Sequence, residues 1–163
     1  MDEDMMAIIA EAEFRELYEK QPLFTDQLQL LTKNSFTFFG FETWEYWFPG
    51  PLIGKGLFSV VEALYLRDFH YFINKYENDL NKLFTLLSKL SFISKSFNYL
   101  SYTYEIIDYI STKWPKEWQN FVKDNNEGYV KELSEYYRQT IIKLNADPRL
   151  YGGADIRQEE DLL

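Results

Sequence analysis

Apolar residues recur at steps of three and four along most of the chain, the signature of helices with one buried face. The stripe is cleanest near the C-terminal end, where Tyr129, Val130, Leu133, Tyr136, Tyr137, Ile141 and Leu144 predict a helix from about Glu127 to Asn145. Upstream, neither glycine nor proline occurs from Leu57 to Trp114, and the same step persists. That run is too long for one ordinary helix, so breaks are expected where caps are available, near Asn78–Asp79 and Asn98–Ser101. The first piece would bury Leu57, Val60, Val61, Leu64, Phe69, Phe72, Ile73 and Tyr76. The second would bury Leu80, Leu83, Phe84, Leu87, Leu90, Ile93 and Phe97, and the third Tyr102, Ile106, Ile107, Tyr109 and Ile110. Pro115, a favoured first-turn residue, opens a further short helix in "WPKEWQNFVKDNNEG".

The N-terminal segment from Asp2 to Lys20 also reads as a helix. Acids crowd its first turn, where they suit the helix dipole, and Lys20 sits at its end. Pro22 closes it, and a second short helix is expected from about Pro22 to Thr32.

One stretch breaks the pattern. "FTFFGFETWEYWF", Phe36 to Phe48, holds eight aromatic residues in thirteen and has no helical period. Phe39, Phe41, Thr43, Glu45 and Trp47 share one parity, a weak sign of a short strand or hairpin. The following "PGPLIGKG" alternates helix breakers with apolar residues. Residues 35–56 are therefore expected to form an ordered, non-helical connection. The fold expected from these patterns is all-α: a single-domain bundle of about five to seven helices over residues 1–150, with an acidic tail at 151–163.

Composition narrows the function. The chain of 163 residues, 46% of them apolar, is long enough for a sizeable core. It has no cysteine, which removes disulfides, thiolate nucleophiles and sulfur-built zinc sites, and favours a reducing, intracellular compartment, either cytoplasm or organelle. The acidic start resembles neither a secretory signal nor a transit peptide. The most apolar window, Phe48 to Leu66, contains Lys55, Glu62, two prolines and three glycines, so no membrane-spanning helix is expected.

The net charge of −9 is unevenly placed. Residues 1–19 contribute −6 and residues 155–163 contribute −3, while the residues between hold fifteen acids and fifteen bases. Acid confined to the ends does not imitate nucleic acid. Nor is there a concentrated basic patch to bind phosphates, so direct nucleic-acid binding is not expected.

Catalytic and metal motifs are sparse. His70 is the only histidine, which leaves a carboxylate-bridged di-iron site without its second ligand, and Arg67 stands where its glutamate belongs. Asp68 lies two residues from His70, so within one helix the two would not share a face. "GPLIGKG" has three residues between Gly50 and Gly54 where a phosphate-binding loop needs four, and Gly56 replaces the required hydroxyl residue. No nucleophile motif accompanies His70. No cofactor is implied. Glu42 and Glu45 are carboxylates in apolar surroundings and are the candidate acids for an enzyme reading.

Two features point to interaction. Residues 80–104 contain Lys82, Lys89 and Lys95, no acid and an apolar stripe, a pattern compatible with peripheral membrane contact. The aromatic stretch is the stronger feature, since tryptophan and tyrosine anchor protein interfaces. The function expected is therefore non-enzymatic. The chain would be a subunit of a larger assembly, or an acidic inhibitor. It would dock on a larger and basic protein through the 36–58 segment, with Phe38, Phe39, Phe41, Trp44, Tyr46, Trp47 and Phe48 in contact. The alternatives are a helical module holding an apolar small molecule and an enzyme using Glu42, Glu45 or His70.

Overall fold

A computed structural model describes residues 3–16, 18–47, 57–125 and 128–146, with the backbone alone at 44–47, 57–59 and 144. In chain order it contains β1 (Ala7–Glu13), α1 (Phe24–Lys33), β2 (Phe36–Trp47), β3 (Leu57–Arg67), α2 (Phe69–Tyr76), α3 (Leu80–Ser96), α4 (Leu100–Lys113), α5 (Pro115–Asp124) and α6 (Gly128–Ala146). The chain divides between Tyr71 and Phe72 into two compact units, so α2 begins in one and ends in the other.

The fold is mixed, not all-α. The N-terminal unit is built on a three-stranded antiparallel sheet in the order β1–β3–β2. Three expectations fall with this. The segment from Asp2 to Lys20 is not a helix, because Ala7–Glu13 is a strand paired with β3 from Ala7–Leu66 to Glu13–Val60. Its alanines and glutamates are good helix formers, but propensity is small beside tertiary context, and pairing overrides it. The helix expected from Leu57 to Tyr76 is a strand to Arg67 and a helix only from Phe69. The central strand is buried on both faces over its second half: Ala63, Leu64, Tyr65 and Leu66 are all fully buried. Such a strand reads as a continuous apolar run, and periodicity cannot separate it from a buried helix.

The third correction concerns the aromatic stretch. Residues 36–47 are non-helical as expected, but they are the strand β2, the one weakly signalled by parity, and not a connection. Register shifts fall between Phe38 and Gly40, between Phe41 and Thr43, and between Glu45 and Tyr46. Bulges at Phe39 and Glu42 therefore put Phe38 opposite Tyr65, Phe41 opposite Ala63 and Trp44 opposite Val61. The bulges stretch the ordinary two-residue period to three, which is why the stretch shows no period of either kind.

On one face of the sheet, Ala12, Val61, Ala63 and Tyr65 form a core with Phe36 and with Leu31 of α1. The helix is tied down by a relay: the Tyr65 hydroxyl donates to Gln27 Oε1 at 2.9 Å, and Gln27 Nε2 donates to the Glu11 carbonyl at 3.0 Å. Arg67 is buried. Its guanidinium lies 4.0 Å from the Phe36 ring centre and 4.4 Å from that of Tyr71, and it donates to the carbonyls of Met5 and Asn34.

The second unit follows its sequence closely. Asp79 caps α3 by accepting from the Lys82 amide at 3.1 Å, and Asn98 ends the helix in the left-handed conformation, with φ 63°. Pro115 opens α5. Leu83, Phe84, Leu87 and Leu90 of α3 are buried, as are Ile106, Ile107 and Ile110 of α4. The α5 residues Trp118 and Phe121 complete this core with Val130, Leu133 and Ile141 of α6. The Phe84 ring meets Trp118 edge-on at 5.6 Å and Phe121 at 5.5 Å. The 151–163 tail and the glycine-rich 50–56 segment lie outside the described residues.

Candidate functional site

The aromatic stretch divides along its length. Phe38 and Phe41 are half-buried and belong to a ring cluster with Phe14 and Phe24 between α1 and the sheet. Ring centres are 5.3 Å apart for Phe24–Phe38, 5.4 Å for Phe24–Phe41 and 4.9 Å for Phe38–Phe41. Edge-to-face and tilted packing at these distances is what stabilises a core. Phe39 stands at the first bulge.

The other end of the stretch is differently placed. Strand β1 ends opposite Val60, but β2 and β3 continue to pair through Tyr46–Phe58 and Trp47–Leu57. Tyr46 and Trp47 thus occupy a two-stranded extension with no third strand beside it among the described residues, whereas Trp44 pairs with Val61, itself paired with Ala12. Phe48 lies outside the described residues.

The sheet face opposite the ring cluster is acidic. Glu11 and Glu62 are directly opposed across β1 and β3, and both are exposed. Thr43 Oγ1 donates to Glu62 Oε2 at 3.0 Å. Glu13 follows on the same face, half-buried, and one of its carboxylate oxygens has no hydrogen-bond partner among the described residues. Burial, and then the neighbouring Glu11 charge, push the Glu13 carboxyl above the ordinary carboxylate range, against a hydrogen bond from Gln21. With Glu42 and Glu45, the strands carry five acids and one base, the buried Arg67. Residues 1–71 as a whole hold twelve acids and five bases, net −7, against fourteen and twelve, net −2, in residues 72–163. Like charges opposed across a ladder cost stability. Grouping by strand register, invisible in the linear charge count, is what locates this acidity.

The enzyme candidates are placed as follows. Glu42 is the residue of the second bulge, half-buried, and Glu45 pairs with Val60. His70 does meet Asp68, with 3.0 Å between Nδ1 and Oδ1. Asp68 stands outside α2 and caps it, accepting from the His70 amide at 2.9 Å. The rule against residues two apart applies only within a helix. Among the described residues, no group of three or more histidines, cysteines or acids is placed to hold a metal ion.

The apolar stripe of the 80–104 region is buried at Leu83, Phe84, Leu87 and Leu90, while Lys82 sits 4.2 Å from the Tyr76 ring centre and Lys95 pairs with Glu132. No helix among the described residues is long and apolar enough to cross a membrane. The chain matches no protein-family model, and no curated protein or solved structure matches it.

Proposed function

We propose that the protein is a non-enzymatic docking protein whose sheet binds a basic surface on a larger protein, with the end of the β2–β3 ribbon as its aromatic anchor. The observation that carries this reading is the ribbon itself. A two-stranded extension beyond the last β1 pair gains little from the fold, yet Tyr46, Trp47, Leu57 and Phe58 occupy it. Aromatic residues in such a position have more to gain from a partner than from their own chain. The acidic face supplies the complementary half. The Glu11–Glu62 opposition and the Glu13 carboxyl are costs to the isolated fold that a cationic partner would relieve. Phe38 and Phe41 are not part of this anchor, since they pack internally.

The test is affinity capture from the native source with three chains: wild type, Tyr46→Ser/Trp47→Ser, and Glu11→Gln/Glu62→Gln. Docking expects one basic protein retained by wild type and lost from both variants, while circular dichroism stays unchanged and neither variant melts far below wild type. Equal retention by all three chains overturns it, as does a wild type that retains no specific protein.

A further inference from the structure

A cleft of about 610 Å³ opens in the helical unit. Its two walls are α5 and α6, and Ser111 of α4 also lines it. The volume falls in the range of small-molecule sites. Pro115 and Val122 supply accessible apolar surface, Trp118 and Tyr137 lie nearly buried behind it, and the Tyr137 hydroxyl is spent on Asp108 Oδ1 at 2.7 Å. The polar lining is one-sided. Lys123 of α5 and Lys131 and Arg138 of α6 line the cleft, and no carboxylate does, in a chain of net charge −9. The same two helices carry Glu117, Asp124, Glu132 and Glu135, none of which lines the cleft.

The three cations are not equivalent. Arg138 is held by Glu135 through two bonds, Nε to Oε2 at 3.0 Å and Nη2 to Oε1 at 2.9 Å. Hydrogen bonds from Arg138 and Gln139 bring the Glu135 carboxyl down to about 2, so that pair stays neutralised at any ordinary pH. Lys123 and Lys131 make no ion pair with a described residue. One sits on each wall, and Asn120 and Ser134 also line the cleft.

We infer that this cleft binds a small organic anion, a carboxylate or phosphate ester on a flat apolar body, with Lys123 and Lys131 holding the charge and Pro115, Val122 and the edges of Trp118 and Tyr137 the body. An inorganic anion alone would leave the apolar surface unused, and a neutral arene would leave both lysines unpaired. The two ends of the cleft chemistry select a molecule that has both parts. The site lies wholly within the second unit and does not rest on the docking proposal.

The test uses the full chain and 8-anilinonaphthalene-1-sulfonate, an arene carrying one negative charge. Fluorescence titration is expected to give saturable binding at one site per chain. Lys123→Gln/Lys131→Gln is expected to weaken it at least tenfold with the melting temperature unchanged, since both lysines are exposed. The uncharged analogue N-phenyl-1-naphthylamine should bind more weakly to wild type and be indifferent to the double variant. Ser134→Trp, which plugs the cleft from α6, should abolish sulfonate binding. Displacement by 1-naphthyl phosphate or by 1-naphthoate supports the site, and whichever acts at the lower concentration assigns the head group. Binding that survives the lysine variant, or survives the plug, overturns the inference. So does failure of both naphthyl anions to compete.

Discussion

At the residue scale, Arg67 ties together separate parts of the N-terminal unit. It bonds carbonyls at the entry to β1 and at the end of α1, and its guanidinium is sandwiched between the rings of Phe36 and Tyr71. A planar cation with several donors suits this position, and lysine does not replace it. Arg67→Met is expected to cost about 2–4 kcal/mol in urea denaturation, through lost charge-assisted hydrogen bonds and ring contacts. Arg67→Lys should recover less than half of that. Glu13 behaves oppositely. Its folded pKa lies above the unfolded value, so the ionised form is penalised by folding, and wild-type stability falls as pH rises through that folded value. Glu13→Gln should therefore raise the melting temperature at pH 7. The difference should vanish below pH 4, where both states of the wild type are protonated. A Glu13→Gln chain that melts lower than wild type at pH 7 would refute this account of the side chain.

At the element scale, β2 serves two ends. Its first half packs inward, through Phe38 and Phe41, and its last pairs extend past β1. Truncating the two halves should have unequal effects. Phe41→Ala is expected to cost about 2 kcal/mol, below the range for a fully buried ring because this one is half-buried. Tyr46→Ser/Trp47→Ser should cost under about 1 kcal/mol, as a two-stranded ribbon contributes little by itself. Chemical denaturation of both variants measures the ratio. Equal losses would place the ribbon end in the core and remove the anchor from the proposed docking face. The aromatic richness of 36–48 was plain in the sequence, but its division was not. Bulges at Phe39 and Glu42 are set by pairing with β3, a strand about twenty residues away, and no local signal marks them.

At the scale of the whole molecule, charge and fold are partitioned alike. The unit bearing the sheet carries −7 of the formal charge, and the helical unit carries the cleft whose lining is cationic. Binding of a basic partner to the acidic sheet should weaken with ionic strength, mainly through a slower association rate. Surface plasmon resonance between 50 mM and 500 mM salt should show the association rate constant falling at least tenfold while dissociation changes much less. An association rate indifferent to salt would remove the electrostatic half of the docking proposal.

What the sequence determined by itself is the helical unit. The stripes of α3 to α6, the Asp79 cap, the left-handed Asn98 stop and Pro115 at the head of α5 are local signals, each spanning a few residues. They act on backbone hydrogen bonds within the same segment, so one segment suffices to read them. The sheet was decided only by the tertiary structure. Strand hydrogen bonds are made to another segment, and Ala7–Glu13 and Leu57–Arg67 are strands because each supplies the other's partners. Taken alone, the first is a plausible acidic helix and the second an apolar run of either kind. The same holds for the two sites. The aromatic anchor is visible as composition, but its position beyond β1 depends on where β1 stops pairing. Lys123 and Lys131 become one site only because α5 and α6 form two walls of one cleft.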